Sequence, residues 1–419
     1  MKININNETV YLEQTDKYKT ISIGVKMFTP FKKEYLAQKS LLSSMMTKVN
    51  AKYRDEQLFN IHCQELYDMG ISMQSTRVGR MGIVSLTLTI VNPKYIKENL
   101  DLLEEAVDTL KTILLNPYFT TELLEQEKRL LINELESIYN NKGQYACQQF
   151  IKAMFKNELL SIKSTGEIED IKGVTLDSLN LAYQSMLKYP RIFFVIGDVE
   201  SVKVQSLFKD LTLPQTIGDI NSDYFIDKET KEITDVTKII EVQNISQSIL
   251  YMGYRTNIRI DDEMYIAMTI FTGMLGQFFH STLFQVIREK HNLAYYVGSD
   301  YNPRKGNMAI TAAISSCNYQ QCIDLVDQII DDYNKGSFDD EVLELTKKAY
   351  INQLKKQEDF PSSMINSIYA ELANFRVLDL SEKISLINKV SKDDIIKVSR
   401  ALKLDTIYFL KGEANEENM

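Results

Sequence analysis

Two kinds of hydrophobic pattern alternate unevenly along the chain. Runs of alternating or β-branched apolar residues predict strands at 20–27, 83–91, 192–197, 248–253, 308–314 and 405–410. Apolar residues spaced three and four apart predict helices at 34–49, 94–115, 121–139, 143–158, 175–187, 262–276, 280–290, 319–334, 339–357 and 391–403. Because helices outnumber strands without strict alternation, the pattern predicts an α+β fold, with helices covering one face of a mainly antiparallel sheet.

One part of this pattern occurs twice. Residues 119–135, FTTELLEQEKRLLINEL, align without a gap with residues 338–354, FDDEVLELTKKAYINQL. Eight of the 17 positions are identical, including Lys128 and Lys347. A repeat of this kind indicates two copies of one structural module.

The length agrees with two domains, because a single core rarely grows beyond about 250 to 300 residues and the chain has 419. Residues 213–236 are polar, charged and without sustained periodicity, as is typical of an exposed connector. We therefore expect an N-terminal domain at 1–215, a linker at 216–236 and a homologous C-terminal domain at 237–419.

Charge and hydropathy narrow the range of partners. The chain has 48 basic and 57 acidic residues, a net charge of −9, and no polybasic segment, so nucleic acid is not expected to bind. The first residues are polar and mixed in charge, unlike a signal peptide, and no apolar stretch reaches the roughly 18 residues of a membrane span. We expect a cytoplasmic protein without a membrane segment.

Cysteine and histidine are scarce. The four cysteines, Cys63, Cys147, Cys317 and Cys322, include no CxxC pair, which predicts reduced, mostly buried thiols. Metal chemistry is limited by the three histidines, His62, His280 and His291. His62 and Glu65 form an HxxE pair on one helix face, but Leu66 stands where a second histidine would complete a zinc motif.

Residues 271–298, FTGMLGQFFHSTLFQVIREKHNLAYYVG, resemble the second-domain motif of the pitrilysin/insulinase zinc peptidases. The resemblance lies in a Gly-containing loop, a helix ending in a basic-acidic-basic run and a Leu-Ala-Tyr turn, formed here by Leu275-Gly276, Ser281, Leu283-Phe284, Arg288-Glu289-Lys290, Leu293-Ala294-Tyr295 and Val297. It extends over the chain, since the duplicated halves and the length are similar to the bacterial two-domain branch of that family.

The resemblance implies half of a clamshell that closes around a peptide, with zinc on one side and an Arg/Tyr pair on the other. By position, that pair is Arg288 and Tyr295, with Tyr296 as the neighbouring candidate. The family role of such a pair is to hydrogen-bond the substrate carbonyl near the scissile bond. An arginine offers five donors in a fixed fork, and a tyrosine hydroxyl adds another.

The loop before this helix is a second candidate contact with substrate. In related non-catalytic subunits the Gly-rich loop handles substrate, which implicates Gly276 and Ser281. Here bulky Gln277, Phe278 and Phe279 replace small residues. The two phenylalanines are expected either to form an apolar pocket for a peptide side chain or to pack inward.

The first domain lacks the metal motif of the catalytic family members. Their HxxEH helix supplies two zinc-ligating histidines and a glutamate that activates water, whereas the corresponding helix here reads AQKSLLSSMMTKV. Ser40, Ser43 and Ser44 stand where the histidine, glutamate and histidine would stand, and serine is a poor zinc ligand and a poor general base. Glu134 is interpreted as the relic of the third ligand, now a surface carboxylate.

These observations predict a zinc-free, substrate-binding subunit that forms a heterodimer with an HxxEH-bearing homologue. Zinc is expected in the partner, no cofactor in this chain, and no activity of the chain alone. One alternative is a catalytically silent peptide-binding or scaffold protein of the same fold. Another is a self-sufficient peptidase that uses His62, His280 or His291 as unrecognised ligands.

Overall fold

The computed structural model describes residues 1–98 and 100–413. Within them lie eleven strands: β1 (Lys2–Ile5), β2 (Glu8–Gln14), β3 (Thr20–Pro30), β4 (Gly70–Val78), β5 (Met81–Val91), β6 (Arg191–Gly197), β7 (Thr237–Gln243), β8 (Ser248–Arg255), β9 (Ala294–Asn302), β10 (Asn307–Ile314) and β11 (Lys403–Gly412).

The same residues contain fourteen α-helices: α1 (Leu36–Met45), α2 (Glu56–Glu65), α3 (Leu102–Leu115), α4 (Thr121–Ser137), α5 (Lys142–Met154), α6 (Ile168–Lys172), α7 (Leu176–Met186), α8 (Ser201–Phe208), α9 (Tyr265–Thr272), α10 (Tyr319–Lys335), α11 (Asp340–Gln357), α12 (Ser362–Leu372), α13 (Leu380–Lys389) and α14 (Lys392–Arg400). None of these helices is long and apolar enough to cross a membrane.

The strands form two sheets with one shared topology. The first has the order β1-β2-β6-β3-β5-β4 and the second β7-β11-β8-β10-β9. If β2 to β6 and β7 to β11 are each numbered one to five, both sheets have the order 1-5-2-4-3. Among the described strands, β2 runs parallel to β6 and β7 parallel to β11, while the other neighbours are antiparallel. The predicted α+β class, with two mainly antiparallel sheets, is confirmed.

The six predicted strands are the central strands of the two sheets. They correspond to β3, β5 and β6 in the first sheet and to β8, β10 and β11 in the second. The five unpredicted strands, β1, β2, β4, β7 and β9, lie at or next to a sheet edge. Edge strands are half exposed and carry polar residues, so their apolar periodicity is weak.

The helix predictions were less accurate at their ends. A helix was expected from 94, but Pro93–Tyr95 forms a short 3₁₀ turn, and α3 begins only after Asp101, whose side chain accepts from the Glu104 amide at 3.1 Å. Residue 99 of that predicted helix lies outside the described residues. Five helices, α2, α6, α8, α12 and α13, were not predicted.

The repeated sequence forms equivalent helices, α4 and α11. Lys128 on α4 donates to the carboxylate three residues before it at 2.8 Å and to the Lys172 carbonyl at 3.3 Å. Lys347 on α11 makes the same pair of bonds, at 2.8 Å to the carboxylate three residues before it and at 3.5 Å to the Asn388 carbonyl. Both lysines therefore tie their helix to a neighbouring segment in the same way.

The chain divides into two compact units that are not continuous in sequence. Unit 1 comprises Met1–Ser137, Lys163–Phe225 and Glu358–Asn374, and unit 2 comprises Ile138–Ile162, Ile226–Gln357 and Phe375–Met419, of which 414–419 are not described. The change at 225–226 falls within the expected linker at 216–236. Residues 138–162, from the first half of the sequence, belong to unit 2, and residues 358–374, from the second half, belong to unit 1. The expected ranges 1–215 and 237–419 did not predict these two assignments.

In unit 2, residues 138–162, which include α5, cover the sheet face opposite to the main helical layer. Along β8, Leu250 and Met252 point into the main core, while Tyr251 and Gly253 face α5. Phe150 of α5 stacks on Tyr251 at 4.8 Å. A Cβ atom at position 253 would lie 2.5 Å from the Met154 sulfur and 2.7 Å from the Phe150 ring, so a larger residue would require those side chains to move.

A buried ionic cluster lies in unit 2. Arg255 donates to Glu158 at 2.6 Å and to Asp405 at 2.8 Å, and Lys305 contacts Glu158 at 2.6 Å and Asp227 at 3.1 Å. All five side chains are buried. Burial alone would raise the pKa of Glu158, but the hydrogen bonds from Arg255 and Lys305 outweigh it and hold that pKa below its ordinary value.

We expect the substitution Arg255→Met to destabilise the protein by about 3 to 5 kcal/mol, because it leaves buried carboxylates without their partner. Since the pKa of Glu158 is lowered by folding, its stabilising contribution is present near neutral pH and is lost as the pH falls. The difference between wild type and variant should therefore narrow on acidification. Urea unfolding at several pH values measures both effects.

The matched control is Arg376→Met, which removes an exposed arginine paired with Glu382. Exposed ion pairs contribute about 0 to 1 kcal/mol, so this control should change the free energy of unfolding little. Equal losses in the two variants would contradict a stabilising role for the cluster.

Candidate functional site

A tight turn joins a helical segment to the edge strand of the second sheet. Phe284–Lys290 is π-helical. This form is rare in proteins, and where it occurs it often lies at a functional site. The His291 amide donates to the Val286 carbonyl and the Leu293 amide to the Ile287 carbonyl, each at 3.0 Å. Asn292, in the left-handed region with φ 52°, turns the chain into β9.

Arg288 lies on this π-helical segment with its side chain partly exposed. Its guanidinium carbon lies 4.7 Å from the centroid of the Phe284 ring, and its Nε lies 3.7 Å from Glu289 Oε1. A cation over an aromatic face is attracted by the ring quadrupole. Phe284 therefore supports the guanidinium from within the same helix, while the Arg288 side chain stays partly exposed.

Tyr295 lies at a β-bulge at the start of β9. Tyr296 pairs with Ala313 and Ala294 with Ile314, so Tyr295 is the extra residue between two ladder positions. Bulges re-aim side chains and are enriched next to active sites. Tyr295 is 77% exposed, and its neighbour Tyr296 is exposed as well. In a regular strand with one covered face, successive side chains point to opposite faces, so two neighbours would not both be exposed.

The predicted pair thus shares one helix–turn–strand element. In the described part of the chain, Arg288 contacts Phe284 and Glu289, and the turn connects it to Tyr295 without a direct hydrogen bond between the two side chains. Both present hydrogen-bond donors at the surface of unit 2. Such an arrangement can bind a carbonyl oxygen without first breaking an internal ion pair or hydrogen bond between the two.

Gly276 has a packing role. It belongs to the π-helical turn Gly273–Gln277, and a Cβ atom at this position would lie 2.6 Å from the backbone nitrogen of Ser299 on β9. The Ser299 hydroxyl also donates to the Thr272 carbonyl at 2.8 Å. The absence of a side chain at Gly276 is what allows the loop to lie against the strand that carries Tyr295.

The two phenylalanines of the loop do not share one environment. Phe278 is partly buried, stacks on His280 at a centroid distance of 5.2 Å and meets Tyr350 edge-on. Phe279 is 79% exposed and meets Phe284 edge-on at 5.4 Å. Phe278 therefore packs inward, which was one of the two expectations for these residues. Phe279 stays on the surface, where it contacts Phe284, the ring that lies against Arg288.

Ser281 precedes the helical residues and is fully buried. Its carbonyl accepts from the Gln285 amide at 3.0 Å, whereas its hydroxyl has no hydrogen-bond partner in the described part of the chain. A buried side chain does not meet a ligand at the surface. Its predicted contact with substrate remains a prediction that the present arrangement does not favour.

The serines at the expected metal positions lie on α1. On α1, the Ser43 hydroxyl donates to the Lys39 carbonyl at 2.8 Å, and the Ser44 hydroxyl donates to the Leu41 carbonyl at 3.1 Å. Ser40 is partly buried on the same helix, and Glu134 is exposed on α4. Within residues 1–98 and 100–413, no group of three or more His, Cys, Asp or Glu side chains is arranged to hold a metal ion.

The histidines proposed as substitute ligands occupy separate places. His62 Nε2 lies 3.4 Å from Thr109 Oγ1 and its ring stacks on Tyr53 at 4.6 Å. His280 Nε2 lies 2.9 Å from Thr346 Oγ1. Burial lowers the pKa of both rings, and nearby Lys52 lowers that of His62 further. His291 is exposed at the end of the π-helical segment. The surroundings of His62 and His280 match packed histidines rather than ligands.

The four cysteines are free thiols, as predicted. Burial raises the pKa of Cys63 and Cys147 and raises that of Cys322 to about 11, which makes these thiols unreactive. Cys322 is buried, Cys63 and Cys147 are partly buried and Cys317 is exposed, so the prediction of mostly buried thiols is wrong.

The sequence patterns did not reveal two features, one beside Arg288 and one on α4. Phe284 was noted only as part of a motif, although its i, i+4 spacing from Arg288 marks it as the ring beneath the guanidinium. Buried Glu127, which pairs with Lys48 at 2.9 Å, was also missed, and the repeat carries Thr346 at the equivalent position. No sequence signal distinguishes that buried carboxylate from the exposed ones on α4.

We expect His62 and His280 to titrate below the ordinary histidine value of 6.5, because burial favours their neutral form. The unfolded chain then binds more protons near pH 6, so these rings reduce stability as the pH falls through about 6.5. NMR titration from about pH 5 to about pH 8 measures the midpoints. His280→Gln assigns one resonance, and midpoints above 6.5 would contradict the packed environments.

Comparison with known proteins agrees with this geometry. A family model described as "Peptidase M16 inactive domain" matches residues 173–350. The "Probable inactive metalloprotease YmfF" of Bacillus subtilis (strain 168) is 30% identical over 413 residues, which cover 96% of either chain.

Solved structures share the architecture. The crystal structure of a conserved protein from Enterococcus faecalis V583 is similar with a TM-score of 0.91 and 29% identity, covering 100% of this chain and 99% of that one. A peptidase M16 inactive domain from Pseudomonas fluorescens shares the fold, with a TM-score of 0.78, 16% identity and coverage of 99% and 98%. The resemblance seen in residues 271–298 is thereby confirmed, and the chain belongs to the peptidase M16 family.

Proposed function

We propose that this chain is the non-catalytic, substrate-binding subunit of a heteromeric zinc peptidase. Arg288 and Tyr295 would complete, in trans, the active site of a homologous chain that bears HxxEH. The observation that carries the proposal is the exposure of both side chains on one turn of unit 2. β-Bulges are over-represented next to active sites, where they re-aim side chains, and this supports the proposal.

The chemistry of peptide cleavage gives these donors a role. Attack on an amide develops negative charge on the carbonyl oxygen, and each donor placed there is typically worth about 3 to 4 kcal/mol. The Arg288 guanidinium remains charged at any working pH, and its position over Phe284 limits the orientations it adopts. Exposed Phe279, adjacent to Phe284, offers an apolar contact for a side chain of the same peptide.

The remaining chemistry must come from a second chain. The hydroxyls of Ser43 and Ser44 are engaged with backbone carbonyls of their own helix and offer neither a metal ligand nor a general base. In the proposal, zinc and the water-activating glutamate belong to the HxxEH partner. Four free thiols fit a reducing compartment, so we place the heterodimer in the cytoplasm.

We expect zinc-dependent cleavage of a fluorogenic peptide library only when this chain is mixed with its HxxEH-bearing homologue. Arg288→Ala should lower kcat/KM of the mixture by about tenfold or more, since it removes a donor to the developing oxyanion. Tyr295→Phe should do the same through loss of its hydroxyl alone. Cleavage rates of each chain separately and of the mixture provide the measurement.

Matched controls keep this test specific. Arg376→Ala and Tyr95→Phe remove an exposed guanidinium and an exposed hydroxyl elsewhere, and both should leave the rate unchanged. If the homologue cleaves peptides equally well without this chain, the chain is a scaffold instead. Zinc-dependent activity of this chain alone would identify it as a peptidase with unrecognised ligands.

A further inference from the structure

The two sheets differ at one edge. In the first sheet, β2 is covered on its outer side by β1, which pairs with it in antiparallel register from Lys2–Tyr11 to Ile5–Glu8. The equivalent strand of the second sheet is β7, since each is the first strand of the 1-5-2-4-3 order and runs parallel to the fifth. In the described residues no strand covers the outer side of β7.

The bare strand carries an apolar stripe on one face. Alternate residues of a strand point to the same face, and on this face of β7 they are Lys238, Ile240 and Val242. Val236 continues the series just before the strand begins. Ile240 is 56% and Val242 54% exposed, and Val236 is also exposed. Natural edge strands are usually blunted with charges, proline or bulges, and an exposed apolar edge is a template for pairing. Along this stripe, Lys238 is the one charged residue.

The opposite face of β7 is firmly held. The hydroxyls of Tyr145 and Tyr408 each donate to Glu241 at 2.7 Å, and Lys142 donates to the Gln243 side chain at 2.8 Å. These bonds hold the one acidic side chain of the strand against Tyr145 of α5 and Tyr408 of β11, on the face opposite to the apolar stripe. Side chains that are already ordered in this way lose little further conformational entropy when the edge pairs.

We propose that two copies of this chain form a homodimer through β7. The two β7 strands would pair antiparallel, with the twofold axis between the two Ile240 residues. This register pairs all seven residues of the strand. It places Ile240 opposite Ile240, Lys238 opposite Val242, and Ile239 opposite Glu241, so no like charges face each other. Shifting the centre to Glu241 would place two carboxylates in opposition.

Self-complementarity is the reason for choosing a second copy as the occupant. An isologous contact of this kind closes on itself and leaves no free β7 edge, whereas the equivalent edge in unit 1 is already closed by β1. The contact is independent of Arg288 and Tyr295, so it does not depend on the proposed peptidase role.

Sedimentation equilibrium of the full chain, at concentrations up to about 100 µM, tests this proposal. We expect a reversible monomer–dimer equilibrium whose Kd rises at least tenfold in Ile240→Lys, because the variant brings two ammonium groups together at the axis. Val202→Lys introduces the same charge at another exposed apolar position, on α8, and should leave the Kd unchanged. A chain that stays monomeric throughout, or a Kd that both variants raise equally, would overturn the proposal.

Cysteine cross-linking tests the register independently of stability. In a background with exposed Cys317 changed to serine, Ile240→Cys should give a covalent dimer with a mild oxidant, because opposed Cβ atoms lie about 4.5 to 5.5 Å apart. Lys238→Cys mixed with Val242→Cys should cross-link more than either alone. Val202→Cys should remain monomeric. A dimer in sedimentation whose Ile240→Cys form does not cross-link would contradict pairing through β7.

Discussion

The close packing of a glycine against the edge strand of the second sheet is the constraint on which the candidate site depends. Because Gly276 has no side chain, the loop that contains it lies directly on Ser299 of β9. The π-helical segment Phe284–Lys290 follows from this loop, and its turn leads back into the same strand. Arg288 and Tyr295 thus occupy fixed places at the two ends of one closed element.

The protein has the architecture of the peptidase M16 family, and within residues 1–98 and 100–413 no cluster of His, Cys, Asp or Glu side chains is arranged to hold a metal ion. On α1, the Ser43 and Ser44 hydroxyls donate to backbone carbonyls of their own helix, so neither hydroxyl is left unpaired. In unit 2, by contrast, donors remain exposed on a rigid turn. Unit 2 thus presents the side chains to which the proposed function assigns substrate binding.

The sequence predicted the buried strands and the repeat, and it failed where side chains are half exposed. β6 and β8 are continuous apolar runs, whereas β4 and β7 mix polar residues into their pattern. The exchange of helical segments between units depends on long-range packing, such as that of Phe150 on Tyr251. The motif placed Arg288 and Tyr295 on one turn, but the bulge that exposes Tyr295 arises from pairing with β10 and has no local sequence signal.

The central claim is that the surface bearing Arg288 and Tyr295 meets a peptide held by a second chain. Hydrogen exchange measured by mass spectrometry tests it most directly, on this chain alone, with its HxxEH-bearing homologue, and with the homologue plus a non-cleavable peptide. The account predicts slower exchange in residues 276–296 that requires both additions and is lost in Arg288→Ala. Unchanged exchange in that segment, with protection elsewhere in the chain, would contradict it.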